Sequence, residues 1–366
     1  IGVNLPPVAT DDFLTVFPGV AKSVNVLTND TDPEGTTLTA STTPVIAPTK
    51  GTATITAAGL VNYTPFANAT GADFLTYSVC DAGSPQKCTQ ATLYFQILPG
   101  EVTLSAKVFL QGALLGVPAT DVLMRDDLRV KSLIPLQHPY GAQNPLTAIT
   151  APTSAVFNVT GANAIVDWVF VELRSGVNST TVVDSRAAFV QRDGDIVDTD
   201  GVSPVVFKSA SPGSYYVVVK HRNHLGIMSG SALALSSTAT VIDFRLASTN
   251  VFVPIVTPIN QAQVEVTQGR AMWTGNVLFD DRIIYQGPQT DAGAIYSRII
   301  GDVGRNPLQS SSYKIKGYDI GDLNMNGETV FQGPGNDIEF IYLNVIKNHN
   351  GNVTRQNSFV VKEQLP

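Results

Sequence analysis

Oxygen-bearing side chains alternate along one short segment near the C-terminal end of the chain. Asp322, Asn324 and Asn326 are separated by single residues, and Gly327 follows directly. In loops with this spacing, side chains at positions one, three and five converge on one ion, and a glycine at position six permits the sharp turn. The spacing therefore predicts a cation-binding loop, and its hard oxygen donors favour calcium.

The ligands that close this loop are less regular. Gly333 stands at position twelve, where a glutamate usually completes a calcium loop. We therefore expect Asp337, four residues further on, to close the site, with Glu328 also in the ligand set. Asp337 is equally well placed to cap the helix that follows. The alternative for the whole loop is a structural turn whose polar side chains accept backbone N–H groups.

A second copy of the pattern lies upstream, at an offset of 46 residues (321 − 275). Gly275–Asp291 aligns without a gap with Gly321–Asp337, and YQGPQTD pairs with FQGPGND. Apolar residues at helical spacing follow each loop. They are Ala292, Ile295, Tyr296, Ile299 and Ile300 after the first loop, and Ile338, Ile341, Tyr342, Val345 and Ile346 after the second.

The first loop offers fewer oxygen donors than the second. Leu278 occupies its third position, and Asp281 replaces the glycine. Asn276, Asp280 and Asp291 remain as candidate calcium ligands, with a structural turn again as the alternative. Two loop-plus-helix units in tandem resemble the dockerin-like calcium modules of secreted bacterial proteins. This resemblance implies calcium as the cofactor and protein docking as one candidate function.

The N-terminal region carries a second resemblance. NLPPVATDD, VNVLTNDTDPEGTTLT and GLVNYTPFANATGADFLTYSVCD are similar to the cadherin-like and immunoglobulin-like repeats of bacterial adhesins. The resemblance implies a β-sandwich over residues 1–100 and calcium ligands at Asp30 and Asp32, near a domain junction. The alternative is a polar turn in which Asn29 and Asp32 cap the backbone and Gly35 takes a positive φ.

The two cysteines of the chain, Cys80 and Cys88, lie in TYSVCDAGSPQKCTQATLYFQI. Two alternating apolar runs joined by a Gly-Ser-Pro turn indicate a β-hairpin, with one cysteine near the end of each strand. Cross-strand placement brings the Cβ atoms close enough for a disulfide, although the sequence leaves the register open. We predict a disulfide, with a pair of buried free thiols as the alternative.

Composition indicates a mainly β protein outside the cell. The 366 residues are 43% hydrophobic and only 14% charged, with 30 Gly and 22 Pro. We expect two β-sandwich domains at residues 1–100 and 101–260, followed by a dockerin-like loop-helix unit at 261–366. A net charge of −7 argues against nucleic-acid binding. No apolar run approaches the roughly 20 residues of a membrane-spanning helix.

Other polar clusters carry weaker signals. The acidic run from Asp193 to Asp200 favours a hairpin with acidic turn ends over a metal site. His221 and His224 are three residues apart, so on one strand they point to opposite faces and are interpreted as polar edge residues. Trp168 is expected to be mainly buried. No nucleophile elbow, phosphate loop or dinucleotide fingerprint is present, which argues against an enzyme.

The leading hypothesis is a non-catalytic extracellular protein of a bacterial surface, an adhesive stalk or a filament subunit stabilised by calcium. The alternatives are a dockerin-like docking module and a fragment of a secreted carbohydrate-active enzyme. Expected partners are further copies of the chain, a neighbouring surface protein, or a glycan or host-surface ligand. Ile1–Leu5 and Ser358–Lys362 are candidate strand donors for head-to-tail assembly.

Overall fold

A computed structural model describes residues 3–66, 69–98, 100–141, 150–253 and 261–366. The chain divides into two compact units. One comprises Ile1–Glu101 with Lys208–Pro212, and the other comprises Val102–Phe207 with Gly213–Pro366. The predicted boundary at residue 260 borders residues 254–260, which lie outside the described residues, and the three-domain division stays a prediction.

The described residues of the first unit form seven strands, and alternating burial along them explains why they pack as a sandwich. They are β1 Asp12–Val16, β2 Lys22–Asn25, β3 Thr39–Ala40, β4 Gly51–Ile55, β5 Leu60–Pro65, β6 Gly71–Cys80 and β7 Cys88–Ile97. One sheet has the order β1-β7-β6-β3 and the other β2-β5-β4. Inward residues of both sheets, such as Tyr63, Leu75 and Phe95, share one hydrophobic core. Period-two burial of this kind is what alternating strands provide.

The long hairpin of this unit carries the disulfide. β6 and β7 pair antiparallel, and Cys80 lies directly opposite Cys88 in the register. The two residues are bonded to each other. The predicted disulfide is confirmed.

The second unit contains one large sheet. Its strands are β8 Val102–Lys107, β9 Ile165–Ser175, β10 Asn178–Gln191, β11 Asp195–Val197, β12 Val205–Phe207, β13 Gly213–His221, β14 His224–Met228, β15 Leu233–Leu235 and β16 Thr240–Asp243. The order is β12-β8-β11-β10-β9-β13-β14, with β15 on β13 and β16 parallel to β8. Central strand β9 is buried on both faces, and Trp168 is fully buried as predicted.

Short helices and strand pairs complete the second unit. They are α1 Gln111–Leu114, α2 Asp127–Val130, 3-10 turns Ser154–Asn158 and Gly161–Asn163, β17 Val264–Val266, β18 Gly269–Ala271, β19 Arg282–Ile284, α3 Asp291–Gly301, β20 Lys314–Lys316, β21 Glu328–Val330, α4 Ile338–Tyr342, π-helix Leu343–Asn348 and β22 Val360–Lys362. The expected fold class is confirmed, because the chain is mainly β with a small helical C-terminal region.

The repeat seen in the sequence extends through the whole C-terminal region. We define repeat 1 as residues 275–320 and repeat 2 as residues 321–366. At an offset of 46, β19 of repeat 1 corresponds to β21 of repeat 2, and β20 corresponds to β22. β19 pairs with β22, and β20 pairs with β21. Each repeat therefore supplies a strand that completes the other, which gives the pair an approximate two-fold symmetry.

Side chains outside the aligned loops keep the same roles in both repeats. Asn306 donates to the carbonyls of Ile299 and Ser310, both at 2.9 Å. Asn352 donates to the carbonyls at the two equivalent positions, 345 and 356, at 2.7 and 2.8 Å. Phe279 and Met325, also related by the offset of 46, both have left-handed backbones with φ of 54° and 56°. The structural repeat is therefore longer than the segment in which the sequences align well.

We expect the disulfide to contribute a measurable part of the free energy of unfolding of the first unit. Replacing both Cys80 and Cys88 with Ser should lower its free energy of unfolding by roughly 2–3 kcal/mol, because the short closed loop no longer restricts the unfolded chain. Urea denaturation of the variant and of the oxidised wild type measures the difference. Equal unfolding free energies would contradict the prediction.

Candidate functional site: the two loops of the C-terminal repeats

The second loop folds around its own oxygen atoms. Asp322 accepts hydrogen bonds from the N–H of Asn326 at 3.0 Å and from that of Gly327 at 2.7 Å. Asn324 Oδ1 accepts from the same Asn326 N–H at 3.1 Å, so the Asp322 and Asn324 oxygens converge on one point. Gly327 has a φ of 85°, which a glycine adopts without strain. The alternating donors therefore line a single concave turn.

The loop is closed by Asp337, which is fully buried. Its Oδ1 accepts from the N–H of Leu323 at 2.8 Å, and its Oδ2 accepts from that of Val330 at 2.7 Å. The side chain makes no capping hydrogen bond to α4. Asn336 caps the helix instead, through the N–H of Glu339 at 3.0 Å. Asp337 thus stands at the N-cap position of α4, as the sequence-based alternative has it, but its side chain does not cap the helix.

The first loop reproduces this closure with fewer donors. Asp291 accepts from the N–H groups of Val277 at 2.7 Å and Ile284 at 2.8 Å, the exact equivalents of the Asp337 contacts. Asn276 Oδ1 accepts from the N–H of Asp280 at 3.0 Å. The equivalent bond in the second loop runs from the N–H of Asn326 to Asp322. The third position is Leu278, which has no oxygen to offer. Asn276, Asp280 and Asp291 thus build a turn of the same shape with a poorer ligand set.

Burial leaves the two carboxylates of the second loop in an unfavourable environment. Burial, together with the neighbouring Asp322, raises the pKa of Asp337 to about 8. Burial also raises the pKa of Asp322 to about 6, although the nearby Arg222 charge opposes the shift. Two adjacent buried carboxylates repel each other when both are ionised. A divalent cation would relieve that repulsion, and carboxylate and amide oxygens are ligands that calcium accepts.

Within the described ranges, no group of three or more His, Cys, Asp or Glu side chains is arranged to hold a metal ion. The second loop offers two carboxylates, Asp322 and Asp337, and two amides, Asn324 and Asn326. Glu328 is ion-paired with Lys314 at 3.0 Å, so its carboxylate is directed to another partner. The donor chemistry therefore fits calcium only if amide oxygens, backbone carbonyls or water complete the shell.

The candidate ligands of the N-terminal unit also build a turn. Asp30 Oδ1 accepts from Thr10 N–H at 2.7 Å, and Asp32 Oδ1 accepts from Thr36 N–H at 2.8 Å. Gly35 has the expected positive φ of 72°. The other carboxylate oxygen of each aspartate, Oδ2, is buried and has no hydrogen-bond partner among the described residues. Turn formation thus uses one oxygen of each side chain.

One extensively hydrogen-bonded buried charge was not predicted from the sequence. Asp167, on β9, accepts from Arg222 Nε at 3.0 Å and from the Tyr318 hydroxyl at 2.6 Å, and contacts His221 Nε2 at 3.1 Å. Asp167, His221 and Arg222 are buried, Tyr318 is half-buried, and Arg222 lies over the Tyr318 ring. Burial alone raises the pKa of Asp167, but Arg222, His221 and Tyr318 outweigh it and lower the pKa to about 2. Asp167 is therefore an internal anchor that is ionised at neutral pH.

His221 and His224 are not edge residues on opposite faces of one strand. They lie on β13 and β14, directly opposite each other across a two-residue turn, and their Nδ1 atoms are 2.9 Å apart. Both are buried, and burial lowers both pKa values. The missed signal was the two-residue Arg222–Asn223 turn between alternating runs, which predicts a tight hairpin and a cross-strand pair.

The acidic run after Asp193 serves turns and ion pairs. Asp198 accepts a bidentate contact from Arg186 at 2.7 Å, and Asp200 accepts backbone N–H groups at 2.8 and 2.9 Å. Asp195 pairs with Lys107 across the strand pair β11–β8. These contacts agree with the interpretation of the run as acidic turn ends.

Comparison with known proteins identifies part of the chain. Residues 4–95 match the family described as bacterial Ig domain, so the first unit contains an Ig-like domain. No curated protein matches the chain. None of the described helices is long and apolar enough to cross a membrane.

Solved structures match only locally. A nucleoside hydrolase-related hypothetical protein from Saccharophagus degradans is 16% identical over 26% of this chain and 26% of its own, with a TM-score of 0.21. The protocadherin GammaB4 extracellular domain is 13% identical over 65% of this chain and 34% of its own, with a TM-score of 0.22. An endo-fucoidan hydrolase of glycoside hydrolase family 107 is 14% identical over 65% and 29%, also with a TM-score of 0.22. The chain thus spans about a third or less of their lengths.

We expect a small substitution at Asp167 to have a large effect on the free energy of unfolding of the second unit. Asp167→Asn should destabilise the second unit by about 3–5 kcal/mol, because it leaves the buried Arg222 charge without a counter-ion. Glu265→Gln, which breaks the exposed ion pair with Arg270, is the control and should cost less than about 1 kcal/mol. Denaturant unfolding of both variants measures the difference, and equal costs would contradict the anchoring role.

Proposed function

We propose that this protein is a non-catalytic structural or adhesive component of an extracellular bacterial surface. The observation that carries the proposal is the Ig-like domain at residues 4–95, joined in one chain to a second, mainly β unit. Ig-like sandwiches are common modules of cell-surface proteins. A stalk or filament subunit is the form that we favour.

The second unit supports a non-catalytic role through the placement of its titratable groups. Asp167, His221 and Arg222 resemble a catalytic set in residue type, but each is at most 5% exposed at its side chain. A general acid or base must reach a substrate proton directly or through one water. Sealed in this way, the cluster serves to hold the hairpin tip against the end of repeat 1.

An extracellular location is supported by the bonded cysteines. Cys80 and Cys88 form a disulfide in the Ig-like unit, and disulfides persist mainly in oxidising compartments. The acidic net charge of −7 fits a soluble surface rather than a nucleic-acid-binding one. We therefore place the proposed structural role outside the cell.

Calcium is proposed as the cofactor of the second loop. Asp322, Asn324, Asn326 and Asp337 would hold the ion, with Glu328 contributing its backbone carbonyl oxygen at position seven. Bound there, calcium would neutralise two buried carboxylates and tie the loop to the start of α4. The first loop is proposed as a turn that folds without the ion, because Leu278 replaces a ligand.

Calcium binding predicts an ion-dependent melting temperature. In wild type, calcium should raise the melting temperature of the second unit relative to chelator, by about 2–4 °C for each kcal/mol of binding free energy. Asp322→Ala should abolish this difference, because it removes a direct ligand. Asn276→Ala in the first loop is the control and should retain it. A wild-type melting temperature that does not respond to calcium would refute calcium binding.

Assembly into a stalk is proposed to use folded surfaces rather than the C-terminal strand. Val360–Lys362 pairs with Arg282–Ile284 of the same chain, and Val361 is fully buried. This segment already completes its own unit, unlike a free donor strand. At the other end, Ile1 and Gly2 lie outside the described residues, whereas Val3 is 81% exposed and Leu5 is 48% exposed.

Head-to-tail association predicts concentration-dependent sedimentation of the full chain in calcium. Larger species should form as concentration rises, because contacts that do not close continue into a chain. Deleting residues 1–5, which include the exposed Val3 and Leu5, should then reduce the larger species. A chain that remains monomeric at all concentrations, and forms no fibres on its native cells, would refute the filament.

A further inference from the structure

The two repeats differ in what covers them. In repeat 2, the segment 111–133 of the same unit packs across the loop and the following helix. We call the positions that it contacts the covered face: Leu323, Asn324, Asn326, Gly327 and Asn344. The equivalent positions in repeat 1, found by subtracting 46, are Val277, Leu278, Asp280, Asp281 and Arg298.

Contacts on the covered face are close and polar. Gln111 and Asn344 exchange two amide hydrogen bonds, both at 2.8 Å. Gly112 lies so near repeat 2 that an added Cβ would stand 2.1 Å from the carbonyl oxygen of Leu323. A small residue in the docked segment is therefore required at this point.

Two basic side chains of the same segment bind the second loop. Arg125 donates to the carbonyl oxygen of Asn324, and Lys131 donates to that of Asn326. The bound segment thus combines a close backbone approach at one end with cationic side chains over the loop. The protein thus already docks one of its own segments on repeat 2 through these contacts.

Repeat 1 presents a groove of about 720 Å³ at the corresponding place. Four of the five equivalent positions line it: Val277, Leu278, Asp280 and Arg298. Leu278 is 42% exposed, whereas its equivalent Asn324 is 6% exposed beneath the docked segment. The remainder of the lining comes from Gln289, Thr290, Gly293, Ala294 and Ser297. We call this surface the open groove.

We propose that the open groove of repeat 1 docks a polypeptide segment of another protein that places a Lys or Arg side chain over Asp280, in the manner in which repeat 2 docks residues 111–133. Charge supports a basic occupant. Asp280 and Asp281 replace Asn326 and Gly327, whereas Arg282 replaces Glu328 and is ion-paired with Asp281. Asp280 is therefore the carboxylate that lines the groove. Both carboxylates belong to exposed residues. An opposite charge on the partner increases both affinity and association rate.

Small side chains on α3 leave room for the backbone of a docked segment to approach closely. α3 presents Gly293 and Ala294 to the groove, where repeat 2 has Glu339 and Phe340. The other end of the groove is bounded by Arg298, which is ion-paired with Asp319. A matching segment therefore has a small residue near α3 and a Lys or Arg near Asp280.

A second copy of the chain does not supply that segment in its folded form. Gln111, Gly112 and Ala113 are buried within their own unit. The occupant is therefore a separate polypeptide. This inference requires neither calcium at the second loop nor head-to-tail assembly, so its failure leaves those tests of the proposed function intact.

A synthetic, fluorescein-labelled peptide with the sequence of residues 110–133 is the probe, and the full-length chain is the receptor. Fluorescence anisotropy should show saturable binding to wild type. Ser297→Arg should weaken it by at least about tenfold, because the new side chain fills the groove. The control is Tyr296→Arg, one residue away, where the side chain contacts Phe331 instead, and it should bind as wild type does.

Charge and alternative occupants are tested with the same probe. Asp280→Asn combined with Asp281→Asn should weaken binding by about threefold or more at low salt, and less at high salt. Asn at position 280 retains the acceptor for Arg282 N–H, so the turn is preserved. Absence of binding to wild type, or equal binding to Ser297→Arg, would overturn the proposal. A dimer that Ser297→Arg disrupts, without peptide binding, would assign the groove to a second copy and also overturn it.

Discussion

The buried carboxylate of Asp167 holds the C-terminal repeats to the large sheet. It pairs with Arg222 at the tip of the β13–β14 hairpin and accepts the hydroxyl of Tyr318 from the end of repeat 1. Arg222 also donates to the Asp319 carbonyl, and Asn223 donates to the carbonyl oxygens of residues 320 and 322. Because burying these charges is costly unless every partner is present, the hairpin tip and the junction of the repeats must form together.

The two repeats preserve their internal framework while differing at their surfaces. Asp291 and Asp337 close their loops through equivalent backbone N–H groups. The aromatic contacts Tyr285–Tyr342 and Tyr296–Phe331 also correspond to each other, because the offset of 46 relates Tyr285 to Phe331 and Tyr296 to Tyr342. The candidate cation ligands and the positions of the covered face have diverged. One copy retains the amide-rich loop beneath residues 111–133, and the other carries carboxylates beside an open groove. A duplicated scaffold thus has one face covered by its own unit and one face open.

Much of the architecture follows from local signals in the sequence. Alternating apolar residues predict the strands of the Ig-like unit, because a strand places successive side chains on opposite faces. The hairpin motif predicts the Cys80–Cys88 pair. The offset of 46 predicts two loop-helix units, since Asp291 and Asp337 precede matched apolar helices. The sequence also identifies the second loop as the richer donor set. Whether that loop binds calcium stays a prediction.

By itself, then, the sequence determined the strands, the disulfide hairpin and the duplicated loops, because each depends on residues close together in the chain. Tertiary structure decided the strand exchange between repeats, the Asp167 cluster and the difference between the covered and open faces. These depend on pairings such as Asp167 with Tyr318 and Gln111 with Asn344, which lie 151 and 233 residues apart. No local periodicity encodes such pairs, since only packing of the folded chain brings their side chains within hydrogen-bonding distance.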